Sequence, residues 1–225
     1  MLRIKWLGQS GYIIKDENTE ICIDPYLSNS VYKVAKRQRL REIPIMTKDL
    51  KSNVIICTHN HLDHLDTDTI KEIEKKDKVF LAPSDCEKIL KALGVESYIP
   101  FDENAIYNEG NFKIKGVYAD HTVRAIGLLI TYKRLRLYFT GDTLYNEKLL
   151  DINCDYLFVC INGKLGNMNV LEAIRLTEKI NPKVAIPNHY DMFESNSENP
   201  DNFMVKQKFV MEFNKEYDIE DIRAL

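Results

Sequence analysis

The 225 residues carry 31 Lys and Arg against 34 Asp and Glu, a formal charge of −3 at pH 7, with 44% hydrophobic and 29% charged residues. That balance excludes wholesale disorder and gives no basic field for polyanionic nucleic acid, so no nucleic-acid partner is expected. No apolar run nears the roughly 20 residues of a membrane span, so no membrane is expected either, and five scattered cysteines without CxxC spacing predict unpaired thiols in a reducing, cytoplasmic setting.

The length suits a single α/β domain, 1–225, built from two βα halves of about 1–110 and 111–225. Strands are predicted at 2–7, 12–15 and 20–25, separated by Gly8, Gly11 and the polar residues 16–18. A basic, irregular segment covers 29–52, and "NVIICT" then reads as a buried strand. A helix follows at 67–76, with Thr69 and Glu72 spaced as a capping box; "KVFLAP" is a strand and "DCEKILKALG" a helix stopped by Gly94. In the second half, 112–118, 127–132 and 135–140 read as strands, "DYLFVCI" as another, and "NVLEAIRLTEKI" as a helix capped by Asn169 with Glu172 three residues on. "KVAIP" is a last buried strand, and Phe203, Val210 and Phe213 suggest a helix over 202–217. Two rounds of strands then helices suit two packed sheets with helices outside.

The run "THNHLDHLD" places His59, His61, Asp63 and His64 at the carboxyl end of the "NVIICT" strand, where open α/β folds hold ligands. His59 and His61, two apart in an extended segment, point the same way. His121 follows "VYAD", His189 follows "VAIPN" and Asp142 follows "YFTG", so every histidine of the chain stands at a strand end. Taken singly, His121, His189 and Asp142 are ordinary strand-end residues. Three histidines beside Asp63 have little structural use, however, and nitrogen and oxygen donors without thiolate suit a functional site for zinc, manganese, iron or nickel better than a closed structural zinc site.

These residues, "THNHLDH", His121, "TGD" ending at Asp142, and His189, together with "WLGQSGYIIK" and "ICIDPY", resemble the metallo-β-lactamase superfamily. The resemblance implies a four-layer αββα sandwich with a metal centre on one edge. It further implies that His59, His61 and His121 hold one divalent ion, that Asp63, His64 and His189 hold a second, and that Asp142 bridges them. Two ions are therefore expected, zinc or manganese first, with iron or nickel as alternatives. Asp24 in "IDPY" would orient a ligating histidine through its free ring nitrogen, although an aspartate before Pro25 also fits a plain turn. The stretch "GNMNVLEAIRLTEKINPKVAIPNHYDMF" is similar to the branch containing L-ascorbate-6-phosphate lactonase.

Two divalent ions outweigh the carboxylates Asp63 and Asp142, so such a centre attracts anions despite the acidic chain, and coordinated water has its pKa lowered to about 7. Asp63 is the expected catalytic residue, orienting the water and passing a proton to the leaving group. Arg124, Lys164 and Tyr190 are the candidate substrate contacts, with the amides of "NGKLGNMN" beside them. The expected activity is hydrolysis of a small anionic substrate, foremost a phosphorylated sugar lactone. A phosphodiesterase acting on a nucleotide or lipid head group is the alternative, followed by a redox di-iron protein and a non-catalytic scaffold. The basic run "KVAKRQRLR" at 33–41 reads as a solvated helix face or a subunit contact in a homo-oligomer, since no aromatics interleave it.

Overall fold

In the computed structural model, which describes residues 1–223, the first half of the chain forms β1 (Arg3–Gly8), β2 (Gly11–Lys15), β3 (Glu20–Ile23), β4 (Val54–Ile56), β5 (Val79–Ala82) and β6 (Tyr98–Pro100). The second half forms β7 (Ile106–Glu109), β8 (Phe112–Tyr118), β9 (Ile126–Tyr132), β10 (Leu135–Phe139), β11 (Tyr156–Cys160), β12 (Val184–Asn188) and β13 (Glu216–Asp218). Four helices accompany them: α1 (Ser30–Ala35), α2 (Thr67–Glu72), α3 (Glu87–Ala92) and α4 (Val170–Ile180).

The strands sort into two sheets, in the orders β13-β1-β2-β3-β4-β5-β6 and β12-β11-β10-β9-β8-β7. Each sheet begins as an antiparallel meander and continues with parallel strands: β3 to β6 in the first, β10 to β12 in the second. The period-2 alternation of side chains explains the layering. Ile21, Ile23, Val54 and Ile56 point inward and meet Ile114, Leu128, Ile130 and Leu137 of the other sheet. Cys22, Ile55 and Phe80 point outward and pack against Ile70 and Ile73 near α2 and Leu90 of α3. On the far side, α4 seats Ala173 and Leu176 in the same core as β11. The result is the α/β, four-layer αββα sandwich anticipated from sequence. Each buried Ile or Leu contributes about 1.5–3 kcal/mol, so the site stands on a rigid scaffold.

The Asn169 capping box of α4 forms as read: Asn169 Oδ1 accepts from Glu172 N–H at 3.0 Å, and Glu172 accepts from Asn169 N–H at 2.9 Å. Other local expectations are corrected. Asp66, rather than Thr69, caps α2, accepting the N–H groups of Asp68 and Thr69, and the helix stops at Glu72. The segment 202–217 is not helical, because β12 at the sheet edge engages its backbone. Ala185 N–H donates to Gln207 O at 2.8 Å, Phe209 N–H donates to Ala185 O at 2.9 Å, and Phe203 is sealed in the core. Short strands β6, β7 and β13 carry too few residues for a periodic signal. No helix among the described residues is long and apolar enough to cross a membrane.

Candidate metal centre

The carboxyl ends of β3, β4, β8, β10 and β12 supply the site. Asp24 follows β3, the 59–64 run follows β4, His121 follows β8, Asp142 follows β10 and His189 follows β12. Two of these residues hold left-handed backbone, Asp24 at φ +44 and His189 at φ +58, with Gln9 at φ +53 beside them. Non-glycine residues adopt this region at a cost, so the surrounding structure must enforce it, as at functional sites.

Three imidazoles converge in one group. His59 Nε2 lies 3.0 Å from His61 Nδ1, and His121 Nε2 lies 3.2 Å from the same atom. The Nδ1 atoms of His59 and His121 are committed elsewhere. His121 Nδ1 donates to Gly166 O at 3.0 Å. Thr58 Oγ1 gives its proton to Asp24 Oδ2 at 2.8 Å and can therefore accept from His59 Nδ1 at 3.2 Å. His59 Nε2 and His121 Nε2 thus both present lone pairs toward His61 Nδ1. One proton cannot satisfy all three nitrogens, whereas a cation can. Burial, reinforced by neighbouring imidazoles, pushes His59 well below and His61 below the ordinary imidazole pKa, keeping both neutral and ready to ligate.

A second group sits alongside. His64 Nε2 is 3.7 Å and His189 Nε2 3.8 Å from Asp63 Oδ2. Asp142 lies between the groups, with Oδ1 at 3.3 Å from His64 Nε2, and Oδ2 at 3.1 Å from His189 Nε2 and 3.9 Å from His121 Nε2. Each triad, His59–His61–His121, His59–His64–Asp142 and Asp63–His64–His189, has donor atoms within 4.8 Å of one another. His64 Nε2 and Asp142 Oδ1 are buried without a hydrogen-bond partner, an expensive condition unless a cation engages both. Burial alone would lower the His64 pKa, but Asp142, Asp24 and Asp63 outweigh it and hold the ring well above its ordinary value. Burial alone would raise that of Asp142, but His189 and His64 outweigh it and hold the carboxyl well below its own. Positive charge, a proton or a metal, is therefore favoured at this point. The donor set fits two divalent ions.

Asp24 is fully buried; its Oδ2 accepts from His64 Nδ1 at 2.7 Å and its Oδ1 from Thr58 N–H at 2.7 Å, which frees His64 Nε2 to face Asp142. Two polar residues that the sequence reading did not single out complete the frame. Gln9 Nε2 donates to Asp63 Oδ2 at 2.7 Å, and Asn167 Nδ2 donates to Asp142 Oδ2 at 2.9 Å. Gln9 carried a signal, a polar residue between Gly8 and Gly11 at a strand end; Asn167 carried none beyond its loop.

The three substrate candidates are not brought to the centre. Arg124 is exposed and bonded to Ser84 and Asp102. Lys164 is exposed and donates to Ser195 O at 2.8 Å. Tyr190 is buried against Trp6, ring centroids 5.0 Å apart, and lines a different cavity. In "NGKLGNMN", Gly166 O and Asn167 serve His121 and Asp142 instead of a phosphate. The basic run is not simply a solvated helix face. Only its first residues belong to α1, and Arg39 is buried, donating to the carbonyls of Tyr26, Ser28, Arg41 and Glu42 as a brace between loops.

A cavity of about 340 Å3 opens on the centre, lined by His61, Asp63, Asp142 and His189 together with Val31, Arg37, Leu165 and Phe193.

Residues 3–189 match the family model described as Beta-lactamase superfamily domain. The UPF0173 metal-dependent hydrolase of Thermodesulfovibrio yellowstonii is 31% identical over 219 residues, covering 84% of this chain and 79% of that protein. Among solved structures, a metallo hydrolase from Ignicoccus hospitalis superposes with a TM-score of 0.75 at 19% identity, covering 97% of this chain and 99% of that one. An isothiocyanate hydrolase from Delia radicum gut bacteria superposes at 0.80 with 14% identity, covering 99% and 100%. At those identities the two structures speak for the fold alone.

Proposed function

The chain belongs to the β-lactamase superfamily, with UPF0173 metal-dependent hydrolases among its relatives, and from that premise we propose that it is a dinuclear metal-dependent hydrolase acting on a lactone or similar ester of a small anionic molecule. The observation that carries the reading is the set of ligand-type atoms at the strand tips: three imidazole nitrogens of His59, His61 and His121 crowded together on one side, and the unpartnered His64 Nε2 and Asp142 Oδ1 on the other. His59, His61 and His121 would hold one ion, Asp63, His64 and His189 the other, with Asp142 between. Bound there, divalent ions supply Lewis acidity and water that ionises near neutral pH.

The chain's own residues account for the rest of the chemistry. Asp24 and Gly166 O orient His64 and His121 through Nδ1, so their Nε2 atoms face the reaction. Asp63 keeps some contact with solvent, 19% exposed at the side chain, while His64 beside it has none. Tethered by Gln9, it is placed to accept a proton from the attacking water and return it to the leaving alkoxide. The cavity volume stands near the lower end of the roughly 300–1,000 Å3 of ligand pockets, which favours a small molecule over a polymer.

The test is to strip the protein of metal, reload it with zinc, manganese or iron, and assay sugar-phosphate lactones, simple lactones and bis-(p-nitrophenyl) phosphate. Lactone or ester turnover that His61→Ala abolishes supports the proposal. Turnover of the phosphodiester alone would replace it with a phosphodiesterase, and full turnover by His61→Ala would remove the metal mechanism.

A further inference from the structure

Arg37 stands apart from the other arginines. Among the described residues, every other guanidinium except that of Arg134 has a hydrogen-bond acceptor: Glu216 for Arg3, Asp191 for Arg41, Asp102 for Arg124 and Asn153 for Arg136 are examples. Arg134 lies in an exposed turn, where water satisfies it. Arg37 is half-buried, makes no hydrogen bond or ion pair with the described residues, and stands between two cavities, the one that also holds His61, Asp63, Asp142 and His189 and an outer one shared with Lys36, Gln38 and Glu194. A guanidinium has five donors and no way to lose its charge at ordinary pH. Holding one partly desolvated beside a site built for two divalent cations is unfavourable unless an anion arrives to share it.

The rest of the wall limits what that anion is attached to. Val31, Ala35, Leu165 and Phe193 form an apolar surface in the same cavity. Leu165 is 54% exposed and sits at φ +58, an apolar side chain held out toward the cavity mouth by strained backbone rather than folded into the core. A polyol would find only Thr122 and Asn196 as uncharged polar partners on this wall and leave most of its hydroxyls unpaired, whereas a short hydrocarbon body gains from covering it.

Building on the hydrolase reading, we infer that Arg37 is the residue that anchors substrate. The substrate class is then a small acid whose single carboxylate, or an equivalent monoanionic group, pairs with the guanidinium. A short apolar body covers Val31, Leu165 and Phe193 and places the ester carbonyl at the Asp63–Asp142 edge. The fork geometry of the guanidinium suits bidentate capture of a planar carboxylate, so lysine is an incomplete substitute. The cluster first read as a solvated basic run thereby divides in two: Arg39 braces the loops, and Arg37 faces the ligand.

The experiment compares two esters of equal acyl length on the metal-loaded protein, mono(4-nitrophenyl) glutarate, which carries the anion, and 4-nitrophenyl pentanoate, which does not. Binding of pentanoate to the metal-free protein is followed separately by NMR titration. Arg37→Gln is expected to lower the anionic-to-neutral kcat/KM ratio at least ten-fold, mainly through KM, and to weaken pentanoate binding at least ten-fold. Arg37→Lys should recover part of both, and Lys36→Gln, which removes a neighbouring cation outside this cavity, should change neither. An unchanged ratio together with unchanged pentanoate binding in Arg37→Gln would overturn the assignment, as would an equal effect of Lys36→Gln. If the wild-type protein turns over neither ester, the hydrolase reading loses support, and pentanoate binding still decides for or against the anchor.

Discussion

Asp24 and His64 form a fully buried pair, the carboxylate Oδ2 2.7 Å from the ring Nδ1, although the two residues are 40 positions apart in the chain. The pair joins the ends of two neighbouring parallel strands, β3 and β4, and sets which nitrogen of His64 is free. A left-handed backbone at Asp24 aims the carboxylate under the ring rather than out of the sheet.

Replacing Asp24 with Asn tests that role. Asparagine tolerates the same left-handed backbone, so the turn should survive. Its amide offers one acceptor where Thr58 N–H, Thr58 Oγ1–H and His64 Nδ1–H now find two carboxylate oxygens. Metal affinity is expected to fall about 10–100-fold, measured by competition with a chelator, with near-native circular dichroism. Unchanged affinity would show that Asp24 is only a turn residue.

Gln9→Ala removes the donor that holds Asp63 Oδ2, together with its 3.2 Å contact to His189 Nε2, while leaving every candidate ligand side chain in place. On the proposed role of Asp63, the expected result is a kcat lowered about ten-fold with metal content by elemental analysis unchanged from that of the unmodified protein, because a mobile carboxylate would spend less time in line with the transferred proton. Loss of metal together with activity would instead make Gln9 part of the ion-holding frame.

Gly166→Ala probes His121 from behind. Gly166 has φ +88, and an added Cβ would sit 2.9 Å from His121 Nδ1 and 2.9 Å from Thr122 Cγ2. Either the ring moves or the loop does, and in both cases the Nδ1–H···O=C bond to Gly166 is strained. Bound metal should fall from two toward one per chain, with a stability loss of about 1–3 kcal/mol read from denaturant unfolding.

Chelation should unmask how much of the site's order depends on cations. A ligand present at 1,000 times its Kd stabilises the folded state by about 4 kcal/mol, and each kcal/mol moves the melting temperature by about 2–4 °C in a chain of this size. Removing metal is therefore expected to lower the melting temperature by about 10 °C, and adding it back should restore the value. A melting curve indifferent to chelator would count against ions at these histidines.

Much of this protein was legible from its sequence, for reasons that are local. Apolar patterning announced β1 to β5 and β8 to β12, because a strand buried on one face alternates and one buried on both faces, such as β4 or β11, is a continuous apolar run wherever it lies. Asn169 and Glu172 announced the start of α4 because a capping box closes within four residues. The 59–64 run declared a metal-binding chemistry because its donors are contiguous. Tertiary structure alone decided which distant groups attend it. Gln9 and Asn167 reach Asp63 and Asp142 across 54 and 25 positions, distances over which no periodicity carries information. Arg124, Lys164 and Tyr190 had the right chemistry at the right strand ends, yet side-chain direction and a nearer partner took each away from the cavity, whereas Arg37 lines it without a hydrogen-bond partner among the described residues. The segment 202–217 makes the same point for backbone: its apolar spacing allowed a helix, but the open edge of β12 offered it hydrogen bonds that only the folded sheet could present.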